Sequence, residues 1–137
     1  MRQPGCRRVE AFLGATTIIY VIDDDEAVGD SLRVLLELRG FSVATYPSGE
    51  AFLQNHPPRD EPRAGCILLD LDLPGMDGLE LLRTLRRAGS RLPVIVITGR
   101  GTAALGPARE AGALDVLEKP FLDGALMSCI ERALPSA

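Results

Sequence analysis

The stretch IIYVIDD, residues 18 to 24, is a short run of large apolar residues that ends in two aspartates. A run of this length is too short for a helix, so it predicts a strand buried on both faces, as in a parallel sheet covered by helices. Three later runs have the same form and end in other polar residues: CILL in Asp70, VIVI in Thr98 and DVLE in Lys119. Because open α/β sheets bind ligands at the carboxyl ends of their strands, we expect these polar side chains to form one site.

Helical patterns alternate with the strands. Apolar residues at steps of three and four predict helices. The apolar face predicted for the last helix consists of Leu122, Ala125, Leu126, Cys129, Ile130 and Ala133. Residues 41–46, FSVATY, predict a less buried strand at the sheet edge, followed by a short helix. Between Thr98 and Gly112, Gly106 and Pro107 allow only a short helix or one that begins near the proline. The sequence therefore predicts the α/β class, as a (βα)5 doubly wound parallel sheet.

Composition limits the function. A chain of 137 residues with 46% hydrophobic content predicts one domain, and a net charge of -4 argues against direct binding of nucleic acid. The three cysteines have no metal-binding spacing, which favours a reducing cytoplasm. Of fifteen basic residues, Lys119 is the single lysine. A compact ammonium enters a crowded anionic site that a planar guanidinium fits poorly.

The first residues superficially imitate a signal peptide. However, the apolar stretch runs directly into three aspartates, lacks a cleavage site and is too short to span a bilayer, so no membrane role is expected. We predict a flexible extension over residues 1–16 and a single domain over residues 17–137.

Four segments together resemble the receiver domain of two-component response regulators, of the FixJ/NarL type. They are VIDDDEAV (21–28), LLDLDLPGMDG (68–78), VITGRG (96–101) and EKPF (118–121), in this order. The resemblance covers about residues 17 to 134. It implies a CheY-like, flavodoxin-like sheet with strand order 2-1-3-4-5.

The resemblance also implies site roles. Asp70 would be the phosphoacceptor, Thr98 and Lys119 would contact the phosphoryl group, and the Lys119–Pro120 bond would be cis. The implied donor is a sensor histidine kinase, and the domain would be a cytoplasmic signalling switch rather than an enzyme. The downstream output stays open. Two copies would pair through the face formed by the fourth helix, the fifth strand and the fifth helix.

The implied cofactor is Mg²⁺, held by the carboxylates of Asp23, Asp24 and Asp70 and the backbone carbonyl of Asp72. The chemistry agrees, because a carboxylate can attack phosphorus, and crowded carboxylates repel one another until a cation neutralises them. A simpler interpretation of Asp25, alone or with Asp24, is a helix N-cap.

Two features depart from related receivers and leave alternatives open. Val116 stands three residues before Lys119, where receivers usually carry an aromatic switch residue, and the segment from Thr98 to Gly112 is about one residue shorter. One alternative is therefore a receiver-like interaction module with impaired switching. Arg100 and Asp72 have opposite charges and would form a modulating ion pair across the mouth of the site.

A further alternative is an Asp-nucleophile phosphatase of the haloacid-dehalogenase type. In that class the second aspartate of the DxD motif is the general acid, and another acidic motif follows the lysine. Here the acidic pair, Asp23 and Asp24, precedes the nucleophile, and the chain lacks room for a substrate cap. The receiver is therefore favoured.

Overall fold

A computed structural model describes residues 17–55, 65–73, 75–99 and 101–134. Within these residues one sheet contains five strands, and every neighbouring pair is parallel. The strands are β1 (Ile18–Ile22), β2 (Ser42–Tyr46), β3 (Gly65–Asp70), β4 (Val94–Thr98) and β5 (Asp115–Glu118). Their order in the sheet is β2-β1-β3-β4-β5, so the predicted topology and the edge position of β2 are confirmed.

Five α-helices connect or follow the strands in the described part of the chain. They are α1 (Glu26–Leu38), α2 (Gly49–Asn55), α3 (Gly78–Arg87), α4 (Leu105–Ala111) and α5 (Asp123–Ala133), with a 3-10 turn (Gly101–Ala104) before α4. The helices α1 and α5 cover one face of the sheet, and α2, α3 and α4 cover the other. None of the described helices is long and apolar enough to cross a membrane.

The central strands are buried along their whole length, which explains their unbroken apolar sequence. Every residue of β3 and β4 is buried, including the polar residues Asp70 and Thr98 at their ends. Side chains that alternate between the two faces form two separate apolar cores. Cys66 in β3 and Cys129 in α5 are buried free thiols, as their apolar surroundings predicted.

Aspartates begin two of the helices. The Oδ1 atom of Asp25 accepts hydrogen bonds from the backbone N–H groups of Ala27 and Val28, at 3.0 and 3.3 Å. The Oδ1 atom of Asp77 accepts one from the N–H of Glu80 at 2.9 Å. These three bonds satisfy N–H groups that have no partner within the helix. The N-cap interpretation of Asp25 is therefore confirmed.

The first turns of α5 and α4 can be compared with the helices predicted from the sequence. Leu122 is 80% exposed and Ala125 is exposed, so their assignment to the apolar face of α5 was wrong. Leu122 precedes the helix in extended backbone, where the helical period does not apply. The helix α4 is short, as predicted, and Pro107 lies in its first turn, where a missing N–H group breaks no helical hydrogen bond.

Candidate functional site

Four strand ends meet at one edge of the sheet. Asp23 follows β1, Asp70 ends β3, Thr98 ends β4, and Lys119 follows β5. These strands are neighbours in the sheet, and the backbone N–H of Lys119 donates to the carbonyl of Thr98 at 2.8 Å. The parallel register therefore places the residues as the sequence pattern predicted.

The two oxygens of the buried Asp70 carboxylate have different partners. Oδ1 accepts a hydrogen bond from the backbone N–H of Asp72 at 2.9 Å, which orients the carboxylate. Oδ2 lies 3.3 Å from the ammonium nitrogen of Lys119. One oxygen is thus held by the backbone, and the other faces a cation.

Lys119 bridges two carboxylates. Its Nζ atom lies 3.3 Å from Oδ2 of Asp70 and 3.9 Å from Oδ2 of Asp23, and about a third of its side chain stays exposed. Burial by itself lowers the pKa of Lys119, but the charge and hydrogen bond of Asp70, followed by the charges of Asp23 and Asp72, raise it overall. Lys119 is therefore an ammonium at neutral pH.

The pKa of Asp23 shows that the single positive charge of Lys119 does not fully compensate the negative charges of the carboxylates around it. Burial raises the pKa of Asp23 to about 6, and the negative charge of Asp70 acts in the same direction. The hydrogen bond from the N–H of Asp25, at 2.9 Å, and the charge of Lys119 oppose this rise without cancelling it. The site therefore favours a further positive charge.

The donor set fits a hard divalent cation. Oxygen atoms of Asp23, Asp24 and Asp70 all lie within 4.8 Å of one another, and Asp24 is exposed while the other two are buried. Mg²⁺ takes oxygen ligands, often one or two carboxylates, and keeps several of its waters. An exposed edge to the carboxylate cluster leaves room for those waters.

The remaining predicted residues lie around this cluster. Asp72 is exposed, and its backbone is tied to Asp70 by the hydrogen bond already described. Val116 is half-buried in β5 and packs against the core under α2, α3 and α4. Arg100 lies outside the described residues, so the ion pair with Asp72 stays a prediction.

Two groups of contacts were missed from the sequence. Glu50 of α2 accepts a hydrogen bond from the backbone N–H of Met76, in the loop that follows Asp70. Away from the site, Asp115 of β5 accepts from the guanidinium of Arg132 and the thiol of Cys129. No residue spacing connects these partners, because they lie 26, 17 and 14 positions apart.

Comparison with known proteins settles the family. The family model described as "Response regulator receiver domain" matches residues 19–131. The chain belongs to this family. The receiver predicted from the four motifs is thus confirmed, and neither the non-switching module nor the phosphatase is favoured. A receiver domain is a signalling switch, in agreement with the expected class of protein.

The relatives place this receiver among those of FixJ type. It is 42% identical to the transcriptional regulatory protein FixJ of Bradyrhizobium diazoefficiens over 120 residues, which are 87% of this chain and 57% of that protein. Identity with FixJ of Rhizobium meliloti is 42% over 116 residues, 84% of this chain and 55% of the relative. The receiver thus spans about half the length of these curated relatives.

Solved structures agree with this family and fold. The crystal structure of FixJ-N has a TM-score of 0.78 and 41% identity, and the match covers 87% of this chain and 94% of that one. The chemotaxis protein CheY4 of Vibrio cholerae has a TM-score of 0.76 at 23% identity, covering 88% of this chain and all of that one, which supports the fold alone.

Proposed function

We propose that Asp70 accepts a phosphoryl group from a sensor histidine kinase in a reaction that requires Mg²⁺. The observation that supports this proposal is that the two oxygens of the buried Asp70 carboxylate have different partners. Oδ1 of Asp70 is oriented by the N–H of Asp72, while Oδ2 lies 3.3 Å from the ammonium of Lys119. Oδ2, which would act as the nucleophile, therefore lies where an incoming phosphoryl group would contact the ammonium of Lys119.

In the proposed reaction, Oδ2 of Asp70 forms a bond to phosphorus. The bond between phosphorus and the ring nitrogen of the kinase histidine breaks, and its electron pair stays on that nitrogen. Catalysis of phosphoryl transfer depends mainly on positioning and on compensating the charge of the equatorial oxygens. We assign this compensation to the ammonium of Lys119 and the hydroxyl of Thr98.

The metal would be held by the carboxylates of Asp23, Asp24 and Asp70 and by the backbone carbonyl of Asp72. Support comes from the closeness of the three carboxylates and from the raised pKa of Asp23. When bound, Mg²⁺ supplies positive charge that lets a phosphoryl dianion approach a carboxylate.

The phosphorylated domain would act through a change of charge. A phosphoryl group carries about -1.5 to -2 charges and three strong acceptor oxygens, which attract the hydroxyl of Thr98 and the ammonium of Lys119. These residues end β4 and follow β5, so the adjoining loops would move. Val116, half-buried in β5, stands where receivers usually carry the aromatic switch residue.

We further propose that the domain is cytoplasmic. Its output would be carried by another domain or protein, because an acidic receiver is poorly suited to bind nucleic acid itself. Pairing of two copies through the face of α4, β5 and α5 would provide the signal. Leu105 and Leu114, which are 37% and 45% exposed, supply apolar surface in this region.

Acetyl phosphate with Mg²⁺ tests the acceptor directly by intact-protein mass spectrometry. The wild-type chain should gain a phosphoryl mass increment, and Asp70→Asn should not, although its amide oxygen can still accept from Asp72. Asp77→Asn is the matched control, since asparagine caps a helix as well as aspartate does. An increment that survives in Asp70→Asn, or never appears in the wild type, would refute the proposal.

A further inference from the structure

The described part of the loop between β3 and α3, residues 71–73 and 75–77, is held from outside by Glu50. The Oε2 atom of this residue accepts a hydrogen bond from the backbone N–H of Met76 at 3.2 Å. A Cβ atom added at Gly75 would lie only 2.8 Å from the same oxygen, and Gly75 has a φ of +69°. The absence of a side chain at Gly75 therefore lets the Glu50 carboxylate lie against the loop backbone.

The helix that carries Glu50 is itself anchored firmly. A Cβ atom at Gly49 would contact the sulfur of Met76 and a methyl group of Leu81 at 3.4 Å, so the start of α2 packs closely on the loop and on α3. Phe52 is 1% exposed, and its ring lies 5.5 Å from that of Tyr20. Glu50 thus connects the loop to a part of the core that is fixed by aromatic packing.

The loop is bonded near both of its ends, on one side to Asp70 and on the other to Leu71, the residue that follows it. At the near end, the N–H of Asp72 donates to Oδ1 of Asp70. At the far end, the N–H of Gly78 donates to the carbonyl of Leu71 at 3.2 Å. Met76 lies between these ties, where the contact with Glu50 restrains the part of the loop that leads back to Asp72.

We propose that Glu50 is a positioning residue for the Mg²⁺ site. By holding the N–H of Met76, it keeps the loop in the conformation that presents the Asp72 carbonyl to the carboxylate cluster. This inference rests on the proposed function, in which the cluster and that carbonyl bind Mg²⁺. Glu50 acts through its hydrogen bond rather than through its charge, because its carboxylate is engaged with the loop backbone.

Isothermal titration of Mg²⁺ into the full chain tests this inference. Glu50→Ala should weaken binding about threefold to tenfold, the range expected when one hydrogen bond that fixes a ligand is lost. Glu50→Gln should stay within about twofold of the wild type, because its amide oxygen can accept from Met76. Glu131→Ala, on the exposed surface of α5, is the control and should leave binding unchanged.

The outcomes separate the two proposals. If the wild type binds no Mg²⁺, the proposed function fails and this inference fails with it. If the wild type binds and Glu50→Ala binds equally well, only the role of Glu50 is overturned. If Glu50→Gln is as weak as Glu50→Ala, the effect comes from charge, and positioning by a hydrogen bond is refuted.

Amide hydrogen exchange without metal gives an independent measurement. The Met76 amide should exchange faster in Glu50→Ala than in the wild type, and at the wild-type rate in Glu50→Gln. Gly75→Ala should also speed exchange at Met76 with Glu50 intact, because its methyl group would displace the carboxylate and the left-handed backbone at this position disfavours a side chain. Unchanged exchange at Met76 in both Glu50→Ala and Gly75→Ala would contradict the proposed restraint.

Discussion

At the scale of single residues, the most informative side chain is Lys119. Its ammonium lies within 4 Å of two buried carboxylates, and its aliphatic stem lets it reach both from the loop after β5. The same charge that would stabilise a phosphoryl group must also repel a metal ion bound nearby. Lys119 is therefore expected to influence metal binding and phosphoryl transfer in opposite directions.

Replacing Lys119 by alanine should show both effects. We expect phosphorylation by acetyl phosphate to slow by roughly a hundredfold, as when one donor to a developing negative charge is removed. Mg²⁺ affinity should rise by about threefold or more, because a competing positive charge is lost. Mass spectrometry follows the first effect and calorimetric titration the second. A parallel loss of both properties would indicate misfolding or a different role for Lys119.

Residue-level prediction from the sequence worked where the sheet dictates position. Asp70 and Lys119 could be paired because Asp70 ends one strand, Lys119 follows another, and parallel strands align their ends. Glu50 could not be found, since its hydrogen bond goes to the backbone N–H of Met76, and a backbone partner leaves no trace in sequence. Leu122 was misplaced because an apolar residue just outside a helix looks the same as one inside it.

At the scale of secondary-structure elements, α4 is held by hydrogen bonds at its C-terminal end and lacks a side-chain cap from its N-cap residue at the other end. Gly112 follows the helix with a φ of +109°, and its carbonyl accepts a hydrogen bond from the guanidinium of Arg86 at 3.0 Å. At the N-terminal end the N-cap residue is Ala104, whose side chain cannot cap a helix, and Gly106 lies in the first turn. The two glycines should therefore respond differently to the same substitution.

Gly112→Ala should lower the free energy of unfolding by at least about 1 to 2 kcal/mol. The left-handed backbone disfavours a side chain, and its Cβ would lie 2.8 Å from the Nε atom of Arg86. Gly106→Ala should change the free energy of unfolding by less than about 0.5 kcal/mol, because the helix preference of alanine is offset by the clash of its Cβ with the ring of Pro107, the next residue. Urea titrations compare the two variants, and an equally large loss at Gly106 would contradict this view of α4.

The contact between β5 and α5 should make stability depend on pH. Burial alone raises the pKa of Asp115, but hydrogen bonds from Arg132, the N–H of Val116 and the thiol of Cys129 lower it overall, below the usual 3.8. A group whose pKa is lower in the folded state stabilises the fold above its unfolded pKa. This contribution is lost as the pH falls through the lowered value.

Asp115→Asn should therefore be less stable than the wild type at neutral pH. The difference should shrink below about pH 4 and disappear at still lower pH, where the wild-type carboxylate is also protonated. Urea unfolding at several pH values measures it. A difference that persists unchanged at acidic pH would show that the charge of Asp115 contributes nothing.

At the scale of the whole molecule, the carboxylate cluster couples metal binding to folding. Asp23, Asp24 and Asp70 come from two different strands and meet only when the sheet has formed. An ion that binds this arrangement, and not the unfolded chain, must stabilise the fold. Thermal stability is therefore a measure of metal binding that needs no phosphorylation.

Free Mg²⁺ at ten times its dissociation constant should raise the free energy of unfolding by about 1.4 kcal/mol. Asp24→Asn should remove most of this gain, because it deletes the exposed carboxylate of the cluster. Asp25→Asn should keep it, since asparagine still caps α1. Differential scanning calorimetry with and without Mg²⁺ measures the change. An equal gain in both variants would place the ion elsewhere.

The whole fold was predictable from the sequence because β1, β3 and β4 are buried on both faces and so have continuous apolar sequences. The edge strand β2 was recognised from its weaker pattern, which follows from its exposed side. The division into two cores was not predictable, since it depends on which face each helix covers. The distances within the site, such as the 3.3 Å between Asp70 and Lys119, are likewise set only in the assembled sheet.

The position of β2 at the edge also decides which strand edges are unpaired while the chain is being synthesised. In the sheet, β1 lies between β2 and the central strand β3, although β2 is synthesised between β1 and β3. During translation, β1 can pair on one side with β2, but its other side stays open until Gly65–Asp70 has left the ribosome. An apolar strand with an unpaired edge invites association with other chains. A nascent chain stalled before β3 would therefore be prone to aggregation, and synthesis through β3 would end the exposure of this edge of β1.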